Sequence, residues 1–419
     1  MEINFDKASF KDFENIAGKD ANEAAYLFFQ YMRYKQSKGQ MNYRLLSTSH
    51  SGPTMEMDLP DNPHKTFISL VANDYLNFSQ HPLVKKAAIE AIENYGVGAG
   101  ASPAIGGHFW YHEALEKAIS GFFYRKSAIT YTTGYTANSA ALQAIMKKDD
   151  LAILDSAVHA SVIEGCLQTN MKTFPHNNLQ ALERILSVTK DKYRSRWVVI
   201  DGVYSQDGDL APLDEIVKLV KTYGAYLILD DAHGTGVIGA TGRGVIELDA
   251  LYQEVDIITG TFSKTFGHIG GYVVASEEMT HFLKYQSRQH IFSSTATPAS
   301  ACILKSIQLI DEEPIWMQKL QKNILHLKTG LLSLGLDIGT TASAIIPVKI
   351  GDMNLNAEIC NLLLQEGIYT NQINYPAVSQ KNSRIRMSVM ATHQPEHLDK
   401  VLNVWEWIIK KKELKQRLR

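Results

Sequence analysis

Cysteine is scarce in this chain. Cys166, Cys302 and Cys360 stand far apart, at neither disulfide-framework nor metal-ligand spacing. That excludes a disulfide-stapled scaffold, leaves no metal site to expect, and fits a reducing cytoplasm. Long apolar runs are missing too. No stretch of about 18 apolar residues exists, so a membrane span is not expected. Neither sign of charge dominates: 42 Lys and Arg against 44 Asp and Glu leave a net charge of -2. Such a balance gives no pull towards nucleic acid or a strongly anionic surface. The opening "MEINFDKASF" lacks a basic segment followed by an apolar one, so no secretory signal is expected. Internal repeats and low-complexity tracts are absent, which speaks against solenoids and disordered linkers.

What remains is an ordinary globular composition, 45% apolar over 419 residues, enough for a large domain and a smaller one. Residues 1–65 are polar around one helical run, "ANEAAYLFFQYMRYKQ", and read as an N-terminal arm. From 66 to about 310, short apolar stretches alternate with amphipathic ones. "TFISLVANDYL", "SAITYT", "DLAILD", "RWVVIDGVY", "AYLILDDA", "VDIITGTF" and "GGYVVAS" read as strands. "PLVKKAAIEAIENYG", "HEALEKAISGFF", "ANSAALQAIMKK", "ASVIEGCLQ" and "PLDEIVKLVKTYG" read as helices. This alternation predicts an α/β domain with a mostly parallel sheet covered on both faces. Residues 311–419 read as a smaller α+β domain. There "SAIIPVKIG" and "SRIRMSVMA" are strands flanking the helix "NLNAEICNLLLQEG". The closing "VWEWIIKKKELKQRLR" reads as a terminal helix with cations near its end. A weak contact with an anionic membrane surface is the alternative.

Ligands of parallel sheets sit beyond the carboxyl ends of the strands. Those ends carry a specific set of groups: Thr133-Gly134-Tyr135, His159, Asp201 with Ser205, Asp230 with His233, and Thr261, Ser263 and Lys264. Singly, each has a plain explanation. A lysine after a strand is usually solvated, a histidine is often a satisfied core residue, and an aspartate is often a helix cap. "GVGAG" lacks the spacing of a dinucleotide fingerprint. Together on one rim they match the needs of pyridoxal 5'-phosphate. Its aldehyde needs a lysine to form a Schiff base. Its ring nitrogen needs a carboxylate to keep it protonated. Its phosphate needs a helix N-terminus and hydroxyls. A lysine amine lowered in pKa by burial and neighbouring cations is also a better nucleophile.

The motifs "DDAHGTGVIGATGRG" and "GTFSKTFGHIGG" together resemble the α-oxoamine synthase family of fold-type I pyridoxal-phosphate enzymes. The likeness runs from "NYRLLSTSHSGPTMEM" to "MATHQPEHLDKVL". It implies a seven-stranded, mostly parallel sheet flanked by helices, and a homodimer with shared active sites. It makes Lys264 the Schiff-base lysine, Asp230 the partner of the ring nitrogen and His233 the partner of the ring phenolic oxygen. His159 would stack on the ring. Gly134 and Tyr135 would meet the phosphate, with the hydroxyls of Thr261 and Ser263. Ser205 would lie near the ring. Ser293 and Ser294 would reach the phosphate held by the neighbouring subunit. Asn73 and Arg386 would bind the amino acid, Arg386 by its carboxylate. The implied reaction is decarboxylative condensation of an amino acid with an acyl thioester of coenzyme A or acyl carrier protein. A serine- or cysteate-type amino acid with a fatty acyl donor is the first expectation, from "SVMATH" and "GLDIGTTASAIIPV". The activities of 8-amino-7-oxononanoate synthase or 2-amino-3-ketobutyrate CoA ligase come next. A fold-type I aminotransferase and a non-catalytic partner subunit are the readings from other classes. This sequence departs from the family at Asn77, where glycine is common, and at Ala101-Ser102-Pro103 near the substrate mouth.

Overall fold

The computed structural model describes residues 3–60 and 62–413. They fall into two compact units, one within 1–72, 206–208 and 321–419, the other within 73–205 and 209–320. The first unit therefore includes the N-terminal stretch that the sequence reading set apart. It contributes two short strands early in the chain, β1 (Thr54–Glu56) and β2 (Thr66–Ser69). The apolar stretch beginning at Thr66 is strand only as far as Ser69. Beyond it the chain turns through a left-handed residue, Asn77, with φ 60° and ψ 34°. This is the position where the family often has glycine. Asparagine is the side-chain-bearing residue that adopts that conformation most readily.

The second unit is built on β3 (Ser127–Tyr131), β4 (Leu151–Asp155), β5 (Asn170–Phe174), β6 (Arg196–Asp201), β7 (Tyr226–Asp230), β8 (Ile257–Thr261) and β9 (Gly271–Ala275). They form one sheet in the order β3-β9-β8-β7-β6-β4-β5. β9 is antiparallel to both its neighbours, and the remaining pairs are parallel. β4, β6, β8 and β9 are buried along their whole length, as expected for a sheet with helices on both faces. Helix Leu213–Thr222 shows why the covering helices form. Leu213, Ile216, Val217 and Val220 share its buried stripe, Asp214 and Glu215 open it, and Lys221 closes it. Burying each of those apolar side chains is worth about 1.5–3 kcal/mol. The edge strand β5 was not foreseen. Its burial is confined to Phe174, so no alternation marks it.

In the first unit, β10 (Ile345–Gly351), β11 (Ile368–Tyr369), β12 (Asn371–Ile373) and β13 (Ser383–Ser388) follow the chain. β13 lies between β10 and β12, while β11 pairs in parallel with β2 and completes a sheet with β1. Helix Ala21–Ser37 begins at a reciprocal cap, Asp20 accepting the Glu23 N–H and Glu23 accepting the Asp20 N–H. Helix Pro395–Lys412 buries Leu398, Val401, Trp405 and Ile408 and ends in Lys410, Lys411 and Lys412. The remainder of the basic stretch, 414–419, lies outside the described residues. Among the described residues no helix is long and apolar enough to cross a membrane.

Candidate active site

Because β3, β4, β6, β7 and β8 run in one direction, their carboxyl ends share a rim. At that rim lies a hollow of about 250 Å³. It is lined by Thr133, Gly134, Tyr135, His159, Asp201, Asp230, His233, Thr261, Ser263 and Lys264 of the sequence-derived set, together with Asn138 and Ser161.

The backbone on either side of Lys264 is firmly anchored. Phe262 and Phe266 on either side are fully buried. The Phe262 N–H donates to the Gly270 carbonyl at 2.9 Å, and the Thr265 hydroxyl to the Thr235 carbonyl at 2.9 Å. Gly267 closes the turn at φ 74°, where a β-carbon would stand 2.4 Å from the Ser79 nitrogen. The loop after β8 thus fixes a half-exposed lysine between two anchors.

Asp230 ends β7 beside Asp201 of β6. Its Oδ1 accepts the Ala232 N–H at 3.0 Å, and its Oδ2 accepts from Asn138 Nδ2 at 2.6 Å. Asn138 Nδ2 also donates to the Ser161 hydroxyl at 3.0 Å. That hydroxyl is 2.7 Å from His159 Nδ1, which the Ser161 N–H also approaches at 3.3 Å. An N–H can only donate, so Nδ1 is the acceptor and the neutral ring carries its proton on Nε2. Burial lowers the His159 pKa. The Asp230 carboxylate opposes this and the Lys264 charge adds to it. A neutral imidazole is the flat, uncharged partner an aromatic ring can lie against. Burial first, and then the Asp230 charge, push Asp201 well above the usual carboxylate range. His233 Nδ1 is 2.7 Å from the hydroxyl of buried Tyr75, which donates to Asn73 Oδ1 at 3.4 Å.

The other end of the hollow is a helix start. Thr133 caps helix Gly134–Ile145, its hydroxyl accepting the Thr136 N–H at 3.0 Å. A β-carbon on Gly134 would lie 2.6 Å from Thr261 Cβ, and one on Gly271 would lie 2.2 Å from the Thr133 carbonyl oxygen. Only glycine permits this close approach of first helical turn and strand end. The Tyr135 hydroxyl bonds Glu164, and its ring stands edge-on to His159 at 6.0 Å.

The remaining sequence-derived residues are not among those lining the hollow. Ser205 is half-buried on the segment after β6 and does not line the hollow. Ser293 and Ser294 are exposed beyond helix Arg288–Phe292, the Ser293 hydroxyl donating to the Ser294 carbonyl at 3.3 Å. Arg386 is buried on β13, in the other unit. Asn138, Ser161 and Tyr75 were missed, though each sits in a stretch already singled out. Asn138 is one helical turn beyond Gly134, and that i, i+4 spacing was the available signal.

The residues fit pyridoxal 5'-phosphate. A lysine and a buried carboxylate face one hollow, and a glycine-cut cradle opens on the start of a twelve-residue helix. Asn138 Oδ1 is buried there without a hydrogen-bond partner among the described residues. Comparison with known proteins agrees. The sequence profile of the family described as aminotransferase class I and II matches residues 65–404. An 8-amino-7-oxononanoate synthase from Thermoanaerobacter pseudethanolicus is 40% identical over 369 residues, covering 87% of this chain and 92% of that protein. The 8-amino-7-oxononanoate synthase 1 of Bacillus subtilis is 36% identical, with 87% and 93% covered. A serine palmitoyltransferase from S. paucimobilis, solved with pyridoxal phosphate and myriocin, superposes with a TM-score of 0.88 at 29% identity, covering 94% of this chain and 99% of that one. The serine palmitoyltransferase of Sphingomonas wittichii gives 0.89 at 29% identity, with 94% and 100% covered.

Proposed function

The chain belongs to the family of class I and II aminotransferases, among its pyridoxal-phosphate-dependent α-oxoamine synthases, and on that premise we propose that it joins an amino acid to an acyl thioester, releasing CO2 and a free thiol. The observation that carries this reading is the meeting of Lys264, Asp230, His159 and His233 around one hollow. Bound pyridoxal phosphate supplies an aldehyde for the amino acid's nitrogen and a cationic ring that draws electrons from its α carbon. The chain's own residues do the rest. Asp230 keeps a proton on the ring nitrogen, and Asn138 holds Asp230 in line. His159 covers one ring face and steers the substrate carboxylate. His233 hydrogen-bonds the ring's phenolic oxygen. The N–H groups of Gly134 and Tyr135, with the Thr261 and Ser263 hydroxyls, receive the phosphate. The Lys264 amine removes the α-proton and returns one at the end. Asn73 and Arg386 bind the amino acid, and Ser205 lies by the ring. Ser293 and Ser294 serve the phosphate of a second copy in a homodimer.

Serine or cysteate with a fatty acyl thioester is the first substrate reading, supported by the likeness to serine palmitoyltransferases. The 40% identity to an 8-amino-7-oxononanoate synthase favours a second, glycine or alanine with a shorter acyl donor. The test is thiol release from acyl-CoAs of graded length against a panel of amino acids. Release with one such pair, and none without the amino acid, is expected. Amino transfer to a 2-oxo acid at full rate without thioester would overturn the reading. Borohydride reduction should fix the cofactor on Lys264, and labelling elsewhere would remove that lysine from its role.

A further inference from the structure

The unit that contains both the N-terminal and C-terminal segments holds a second cavity, of about 370 Å³. Small-molecule sites fall in the range of roughly 300–1,000 Å³ and are mostly apolar with a few placed polar groups. Phe10, Tyr31, Tyr43, Met353, Ala357 and Pro376 supply apolar and aromatic walls. Among them stands one cation. Lys35, on helix Ala21–Ser37, is only 5% exposed, and a lysine is almost never fully buried unless paired. Its ammonium donates to Gln40 Oε1 at 3.1 Å and lies 5.8 Å from the Tyr31 ring centroid. Neither partner carries a negative charge. The nearby acids hydrogen-bond other groups, and of them Asp6 is close enough for its charge to attract the ammonium. Asp6 accepts from the Tyr34 hydroxyl, Asp12 from the Ser9 N–H and hydroxyl, and Asp352 from the Leu355 N–H. Burial lowers the Lys35 pKa, with Asp6 opposing.

A second group in the same lining is also incomplete. Gln372 is 4% exposed. Its Nε2 donates to the Gln40 carbonyl at 3.0 Å, which fixes which end of the amide is which. Its Oε1 is buried with no hydrogen-bond partner among the described residues. A buried acceptor left unmade is costly, and so is a buried cation with no carboxylate in direct contact. One ligand can satisfy both.

We propose that this cavity binds a small carboxylate with an apolar body and an N–H donor, the N-acyl amino acids being the simplest class that carries all three. The carboxylate pairs with Lys35, the amide N–H meets Gln372 Oε1, and the acyl chain fills the aromatic walls. The site does not depend on the reaction proposed above.

The test is calorimetric titration of the full-length holoenzyme with N-octanoylglycine. Saturable binding of one equivalent per chain is expected. Lys35→Met should weaken it about tenfold or more, the effect of losing a charge-assisted hydrogen bond. Ala357→Phe, which fills the cavity, should abolish it. The uncharged ethyl ester should bind the wild type about tenfold more weakly than the acid, so the charge requirement is readable even if Lys35→Met fails to fold. No saturable binding by the wild type would overturn the proposal. So would binding that Lys35→Met and Ala357→Phe leave unchanged, since the ligand would then sit elsewhere.

Discussion

At the scale of single residues, Asn138 stands between the two groups that matter most. One amide nitrogen serves Asp230 and, through Ser161, His159. Removing it strips a hydrogen bond from a carboxylate, worth about 1.5–3 kcal/mol. Asn138→Ala should therefore lower kcat by about tenfold or more and loosen the cofactor. Steady-state kinetics and absorbance titration with pyridoxal phosphate check this, and unchanged values would remove Asn138 from its positioning role. Asp231, next to Asp230, behaves differently. It is fully buried and faces away into a shell of glycines. β-carbons on Gly202, Gly234 and Gly244 would stand 2.3, 2.0 and 1.7 Å from its carboxylate oxygens. Gly244 also sits at φ 84°. Gly244→Ala should cost more than about 3 kcal/mol, the range of the severest core changes, and thermal unfolding would register it as a large drop in Tm or a failure to fold. The sequence showed which strand ends bear chemistry, because strand-end lysine, acid and histidines are rare in combination. It did not show Asn138 or Ser161. An asparagine inside a helix and a serine near a helix start have many ordinary uses, and only the fold brings these two together.

At the scale of elements, the unforeseen strand β5 is tied down by the turn at its carboxyl end. His176 lies 3.1 Å from Asp155 at the end of β4 and 2.9 Å from Asp209 beyond β6. The Asn177 N–H donates to the other Asp155 oxygen at 2.8 Å. Burial alone would lower the His176 pKa, but the hydrogen bonds and charges of both aspartates outweigh it and raise it to about 10. A histidine whose folded pKa exceeds its unfolded value near 6.5 adds stability that is complete below about pH 6.5. That stability fades as pH climbs through about 10. His176→Gln should thus destabilise the protein by about 3 kcal/mol at pH 6, the scale of a broken buried pair. The gap to the wild type should narrow towards pH 10. Urea unfolding across that range is the measurement, and a constant gap would contradict the charge pairing. The inner strands were legible because full burial leaves continuous apolar runs. β5 was not, since an exposed edge strand carries neither alternation nor an apolar run.

At the scale of the whole molecule, residues far apart in sequence complete one unit. The Tyr31 hydroxyl donates to the Ala8 carbonyl at 2.9 Å. Tyr43 donates to the Gln372 carbonyl, Gln372 to the Gln40 carbonyl, and β2 pairs with β11. Deleting residues 1–44 should bare Ala357, Cys360 and Gln372 and lower the thermal stability of that unit by several degrees. Calorimetry would show one shifted transition, and a deletion with the wild-type Tm would make the early segment a mere appendage. The sequence signalled a polar stretch with one helix there. It gave no sign of a partner, because β1, β2 and β11 are only two to four residues long.

That arrangement sets an order of assembly on the ribosome. Residues up to 72 emerge early, yet most of the unit they belong to begins only at 321. Translation at about 5–20 residues per second keeps the early segment waiting for roughly 12–50 s while the seven-stranded sheet is made. During that interval Phe5, Phe13, Phe28 and Tyr31 have one another and their early neighbours Ala8, Ile16, Leu27 and Met32 for cover. That small cluster is the apolar contact the early segment can make before its distant half is synthesised.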